Sequence, residues 1–380
     1  MIYLDNAAST PVRREAIEAM WPYLTGEFGN ASSHHRLGEV AAEALAAARA
    51  AVARVTGARA GDVVFTSGGT EADNLAVKGI ALASGRGRHI ITTPLEHEAV
   101  LESVEYLRTE HGFEVSMLAP DATGRVSPEE LAAVLRPDTT LVSVQYGNNE
   151  IGTLQPIAEL AALARAAGVP FHTDAVQAAG WLALDIDTLG VDALSLAGHK
   201  VGAPKGTGAL VVRGRIPLQP VLHGGGQERG RRSGTENVAG AVAFATALAL
   251  AEAERAEAAA RVSTLRDRLI ADVLNAVPTA LLSGHPQQRL PGCASFLFPG
   301  TSGEAVMLEL ERRDVLCSSG SACAAGSDEP SHVLTAIGVE PLVAQTAVRF
   351  TLATTTSESD LRDVAQAVAE SVEALVGAGR

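Results

Sequence analysis

Six short apolar runs recur through the first 212 residues, with helix-period segments between them. They are Asp62–Thr66, His89–Thr92, Thr140–Tyr146, Val169–Asp174, Asp192–Leu196 and Gly208–Val212. Each is rich in Val, Ile or Leu and bounded by Gly, Pro or Asp, which is the pattern of buried strands. The intervening stretches Val40–Val55, Ala72–Leu82, Ala99–Glu110 and Ile157–Ala167 carry apolar residues at helical spacing. Strand and helix in repetition predict right-handed crossovers and a mostly parallel sheet covered by helices on both faces. After about Ser233 the texture changes. An Ala- and Glu-rich stretch from Asn237 to Val277 reads as one long helix or two. Beyond it, Cys293–Phe298 and Ala347–Leu352 read as strands, and Gly303–Arg313, Glu329–Ile337 and Glu358–Val376 as helices. The expected division is a large α/β unit at 15–255 and a smaller α+β unit made of 1–14 and 256–380.

Composition narrows the function. Apolar residues make up 47% of the chain and charged residues 19%, enough for a large core and unlike a disordered chain. A formal charge of -14 argues against nucleic acid as a direct partner, since phosphate binding needs a basic face. No uninterrupted apolar stretch is long enough for a membrane span, and the first residues lack the pattern of a signal peptide. Three cysteines, an odd number, do not form a disulfide framework and fit a reducing cytoplasm. No Cys-x-x-Cys pair is present, so no structural metal site is expected.

The residues with chemical potential gather after the strands. There are three lysines, Lys78, Lys200 and Lys205. Lys78 falls within a helix and is expected to be solvated. Lys200 follows a strand in Gly198-His199-Lys200 and a Gly-rich turn. Partial desolvation there would lower its pKa toward reactivity, although a loop cap explains it as simply. In Ser67-Gly68-Gly69-Thr70-Glu71 a strand gives way to a helix, a geometry whose free N–H groups take phosphate. A plain Thr cap is the alternative. Asp174 ends a strand and suits either a protonated ring nitrogen or a helix cap. His97 sits just past a strand, placed to stack on a flat ring and move protons, or simply to be exposed. Asn148-Asn149-Glu150 is a further polar group at the same strand edge, where open α/β sheets bind ligands. Cys293 and Cys317 read as small buried hydrophobes. Cys323 lies in a run of small residues, where an exposed thiol is either reactive or incidental. The segment Gly224–Thr235 suits an anion or a subunit contact. Arg349, on an apolar strand, wants a carboxylate, from a substrate or from the chain itself.

In combination these motifs resemble the cysteine desulfurases of the class V, fold-type I family of pyridoxal phosphate (PLP) enzymes. The resemblance runs from Tyr3-Leu4-Asp5-Asn6-Ala7-Ala8 to Arg349-Phe350. It takes in the Gly69-Thr70 turn, Glu96-His97, Asn149-Glu150-Ile151-Gly152, Asp174 with Gln177, Gly198-His199-Lys200, and Ser319-Gly320-Ser321-Ala322-Cys323. The Cys323 region and Glu329-Pro330-Ser331-His332 resemble the long-loop, iron–sulfur branch. The resemblance implies a seven-stranded, mostly parallel sheet sandwiched by helices, with a small domain bearing the cysteine. It implies PLP on Lys200, with Gly69, Thr70 and His199 at the phosphate and Thr235 reaching it from the second subunit of a homodimer. Asp174 would face the ring nitrogen, Gln177 the ring hydroxyl, and His97 the ring. Asn149 and Arg349 would hold the substrate, L-cysteine, and Cys323 would take its sulfur as a persulfide. Many relatives have Ser where this chain has Ala197, one phosphate hydrogen bond fewer, worth about 0.5–1.5 kcal/mol. The acceptor would be a protein such as an iron–sulfur scaffold. Selenocysteine lyase, and desulfurases dedicated to tRNA or DNA sulfur modification, share these residues. A class V aminotransferase would not need Cys323. Retention of Lys200, His97 and Cys323 together speaks against a non-catalytic scaffold.

Overall fold

A computed structural model describes residues 1–319 and 329–378. Its strands are β1 (Ile2–Tyr3), β2 (Val63–Thr66), β3 (His89–Thr92), β4 (Glu114–Met117), β5 (Thr139–Ser143), β6 (Phe171–Asp174), β7 (Ala193–Ala197) and β8 (Gly208–Val212). After them come β9 (Leu281–Leu282), β10 (Cys293–Leu297), β11 (Val315–Leu316) and β12 (Ala347–Thr351). Seven form one sheet in the order β2-β8-β7-β6-β5-β3-β4. The pairs from β7 through β4 are parallel, and β8 runs antiparallel to both β7 and β2. β2 therefore points the same way as β7, so six of the seven strands end at one edge.

Alternate residues of these strands feed two separate cores. Ile91, Val142, Leu194 and Val211 pack on one face, and Ile90, Leu141, Ala193 and Leu210 on the other. Burial on both faces explains why the sequence shows continuous apolar runs and not alternation. Gly208 lets β8 lie against the turn after β2, since a side chain there would strike Gly68 Cα at 2.7 Å.

The smaller unit has the antiparallel sheet β12-β10-β9 and the parallel pair β1-β11. Its core holds Leu4, Val262, Leu269, Phe296, Phe350 and Val364. The Ala-rich stretch is a single helix, Val238–Ala276, capped by the Asn237 side chain accepting from Gly240 N at 2.9 Å. Its first half packs into the large core through Phe244 and Leu248, and its second half into the small core through Leu265 and Leu269. The segment Asp5–Thr10 lies between the units. Asn6 Nδ2 donates to Thr351 O at 2.7 Å, and Thr10 Oγ1 to His199 O at 2.9 Å.

Several expected bounds shift. The run Thr140–Tyr146 is a regular strand only over Thr139–Ser143, although Val144 N and Tyr146 N still donate to His172 O and Asp174 O of β6 at 3.1 and 2.8 Å. Val169–Asp174 becomes Phe171–Asp174. The helix expected at Glu329–Ile337 begins only at His332, with Ser331 as its cap. β4 has no counterpart among the expected runs, since its residues Glu-Val-Ser-Met form a partly exposed edge. Lys78 is half-buried and not simply solvated: it donates to Asn74 Oδ1 at 2.7 Å and lies 4.5 Å over the Tyr106 ring.

Candidate active site

The loops leaving the shared strand edge enclose a cavity of about 650 Å³. Gly69, Thr70, His97, Asn149, Asp174, Gln177, His199, Lys200 and Arg349 all line it. The residues from 69 to 200 meet in one place because consecutive parallel strands deliver their ends to one edge, and β12 of the small sheet adds Arg349.

The turn after β2 opens the helix Gly69–Ala83, which has no side-chain cap. Instead, Glu71 reaches back to accept from Ser67 N at 2.8 Å. The first-turn N–H groups of a helix are the natural seat for an anion. His199 lies beside this turn, and its Nδ1 is buried without a partner among the described residues. Burial and then the neighbouring Lys200 and Lys205 push its pKa down to about 4, so it is a neutral ring.

Asp174 closes β6 and accepts from Val176 N at 2.8 Å. Burial raises its pKa against the pull of that hydrogen bond and of His97 and Lys200. Asp73, which also lines the cavity, is buried on the apolar face of its helix, with its pKa raised by burial and by Asp174. Asp73 Oδ1 is 3.7 Å from His172 Nε2, yet this is not an ion pair. Burial holds the His172 pKa near 3 and the carboxyl takes up its own proton more readily. His172 hydrogen bonds instead to Ser143 and Ser195, both at 2.9 Å.

His97 caps the helix Glu98–His111, its Nδ1 accepting from Ala99 N at 3.0 Å. Its neighbour Glu96 is wholly buried, accepting from Thr93 and from Gln145 N, and burial pushes its pKa up to about 8. Glu150, next to Asn149, accepts a 2.5 Å hydrogen bond from Ser331, and His332 Nε2 lies 3.1 Å from Glu96 O. These contacts tie the segment after residue 328 to the wall of the cavity. Lys200 donates to Ala8 O at 2.9 Å and also to Ala7 O, which Gln177 Nε2 shares at 3.0 Å. Lys205 is exposed and outside the cavity.

Arg349, expected to hold a carboxylate from substrate or chain, has one from the chain. Its Nη2 pairs with Asp5 Oδ1 at 2.9 Å, and its Nη1 donates to the backbone oxygen of Asn149 at 2.8 Å. The arginines of the Gly224–Thr235 segment are likewise engaged within the chain. Arg232 pairs with Glu71, and Arg229 donates to Val63 O, while Glu228 receives Arg49. Thr235 is exposed and does not line the cavity. Cys323 lies outside the described residues. Cys293 is buried as expected, and Cys317 is half-buried, its thiol pushed up to about 12 chiefly by burial.

Asp73 was not singled out from sequence, and Asp5, Glu96, Glu150 and Ser331 entered only within longer motifs, with no role of their own. For Asp73 a signal existed: it stands four residues after Gly69, on the same stripe as Ala76 and Ile80, where a charge is out of place. Among the described residues no group of three or more His, Cys, Asp or Glu is placed to hold a metal, and no helix is long and apolar enough to cross a membrane.

The sequence matches the family model described as Aminotransferase class-V over residues 2–364. A protein of Methanosarcina thermophila named "Cysteine desulfurase IscS" is 46% identical across 98% of this chain and 92% of its own length. Among solved structures, a "NIFS-LIKE PROTEIN" superposes with a TM-score of 0.91 at 35% identity, covering 98% of this chain and 100% of its own. "SspA in complex with cysteine" does so with a TM-score of 0.81 at 37% identity, over 93% of this chain and 99% of that one. On sequence and fold together, the chain belongs to the class-V aminotransferase family and stands among its cysteine desulfurases.

Proposed function

We propose that this chain is a PLP-dependent cysteine desulfurase that converts L-cysteine to L-alanine and keeps the sulfur as a persulfide on Cys323. The observation that carries this reading is the convergence on one cavity of a lysine, a buried aspartate, a histidine and a helix start without a side-chain cap, together with Arg349 and Asn149.

The donor set fits PLP. Gly69, Thr70 and the first-turn N–H groups suit its phosphate, with His199 Nδ1 still lacking a partner beside them. Lys200 would be the covalent attachment point, Asp174 the partner of the ring nitrogen, Gln177 that of the ring hydroxyl, and His97 the stacked ring. Thr235 would serve the phosphate of a second copy in a homodimer, in keeping with its exposed position. When bound, PLP supplies an electron sink for the carbon that loses its proton.

The chain's own residues do the rest. Arg349 and Asn149 take the substrate carboxylate and fix its orientation. His97 holds and returns protons at the reacting face. The Cys323 thiolate attacks the substrate sulfur: an S–S bond forms, the C–S bond breaks, its electron pair stays with carbon, and carbon takes up a proton to give alanine. The persulfide then passes to an acceptor protein in the cytoplasm, such as an iron–sulfur scaffold. The large domain at 15–255 holds the cofactor, and the small one, 1–14 with 256–380, carries Cys323.

The test is an absorbance spectrum of the purified protein before and after L-cysteine, with alanine and sulfide assayed together. A yellow protein whose band shifts, forms alanine, and loses sulfur release on Cys323→Ala supports the reading. A protein that cannot be loaded with PLP, or a Cys323→Ala variant with full sulfide release, overturns it. Lys200→Ala is expected to abolish the visible band and turnover together.

A further inference from the structure

The guanidinium that faces the cavity is already half-neutralised by the chain. Arg349 has a side chain only 2% exposed, and its Nη2 is paired at 2.9 Å with Asp5, whose side chain is 22% exposed. Its Nη1 is held by Asn149 O at 2.8 Å, while Nε is buried with no partner among the described residues. A buried guanidinium with no counter-charge is costly, so something must balance it before a ligand arrives. Asp5 does this from behind, since Arg349 lines the cavity and Asp5 does not. Asp5 is itself well anchored. It bridges to Thr351, one residue on Asn6 bonds to Thr351 O, and Tyr3 donates its hydroxyl to Asp5 O at 3.0 Å.

From this geometry we propose that Asp5 is a positioning residue that competes with an incoming amino-acid carboxylate for Arg349 and so sets how weakly the site holds its substrate. This rests on the desulfurase reading for the identity of the ligand. The electrostatics have a definite sign. A carboxylate entering the cavity is attracted by Arg349 and repelled by Asp5. Removing only the charge of Asp5 leaves the hydrogen bond to Nη2 possible, ends the repulsion and weakens the competition for the guanidinium. Affinity for a carboxylate should rise, and affinity for the same molecule without its carboxylate should not. A residue of merely structural importance would weaken both.

The experiment uses the full chain loaded with PLP and two probes, L-alanine and L-alaninamide, measured by calorimetry. Asp5→Asn should bind L-alanine about tenfold more tightly while L-alaninamide changes by no more than about twofold, the split expected of one like charge removed from a partly solvated site. Asp5→Glu, which restores the charge, should return L-alanine binding toward the wild-type value. L-Alanine binding to Asp5→Asn that is unchanged or weaker, or a parallel change for both probes, would overturn the proposal. L-Cysteine turnover by the wild type, assayed separately, reports on the desulfurase reading alone. A chain that binds L-alanine with the expected split yet makes no alanine from cysteine would defeat that reading and leave the role of Asp5 standing.

Discussion

Glu96 is the residue whose titration says most about the site. It has a fully buried carboxyl, Oε2 has no partner among the described residues, and burial raises its pKa to about 8. The native state therefore keeps a proton that the unfolded chain loses above its ordinary value near 4.5. By linkage, the contribution of Glu96 is fully present below that value and is lost as pH rises toward 8. Glu96→Gln has no proton to lose. The gap in urea midpoint between wild type and Glu96→Gln should widen in favour of the variant from pH 5 to pH 8. A gap that is constant across that range would show Glu96 to be ionised in the native protein. Asp174 is the other telling residue. On the proposed PLP reading, replacing it by Ala removes the partner of the ring nitrogen and should weaken PLP retention about 10- to 100-fold, measured by dialysis and absorbance. Asp174 was legible because it ends a strand at the ligand-binding edge. Asp5 was not, because its partner Arg349 lies 344 residues away and no local pattern announces the pair.

Among the elements, the edge strand β2 shows how the Gly-rich segment earns its arginines. An edge strand offers unpaired N–H and C=O groups to any passing strand. Here Glu228 accepts from Phe65 N at 3.1 Å, and Arg49 and Arg229 donate to Val63 O at 2.7 and 2.6 Å. Glu228 and Arg229 both adopt positive φ, 48° and 59°, to reach it. Glu228 is also held by Arg49 in a buried ion pair at 2.6 Å. Glu228→Ala leaves Arg49 without its counter-charge and should cost about 3–5 kcal/mol, read as a lowered urea midpoint. The sequence suggested an anion site or a subunit contact for this segment, and its arginines are engaged within the chain. Helices and central strands were legible because their periods reflect burial: His89–Thr92 and Gly208–Val212 match residue for residue. β4 was not, because a short edge strand with exposed ends has no apolar run to betray it.

At the scale of the molecule, the helix Val238–Ala276 belongs to both cores. Residues 252–257 in its middle are exposed or half-buried, and the units also meet away from the helix, where Leu154 N donates to Gln288 O at 2.9 Å and Leu290 N to Gly152 O at 2.8 Å. Glu257→Pro removes one of the helix's own hydrogen bonds and distorts the turn, at a cost of about 3 kcal/mol. Calorimetry should then show a lowered melting temperature. The N-terminal segment crosses the same boundary with more lasting consequence. Residues 2–10 are made before the rest of the fold, yet Asn6 bonds to Thr351, 345 residues later. At ordinary synthesis rates that partner follows roughly 20–70 s behind. Through that interval the large core can assemble, but Lys200 lacks a fixed seat and Arg349 does not yet exist. The nascent chain thus carries a nearly finished sheet with an unfinished pocket, and completion of that pocket by Arg349 is a late event in its biogenesis, timed by the arrival of β12.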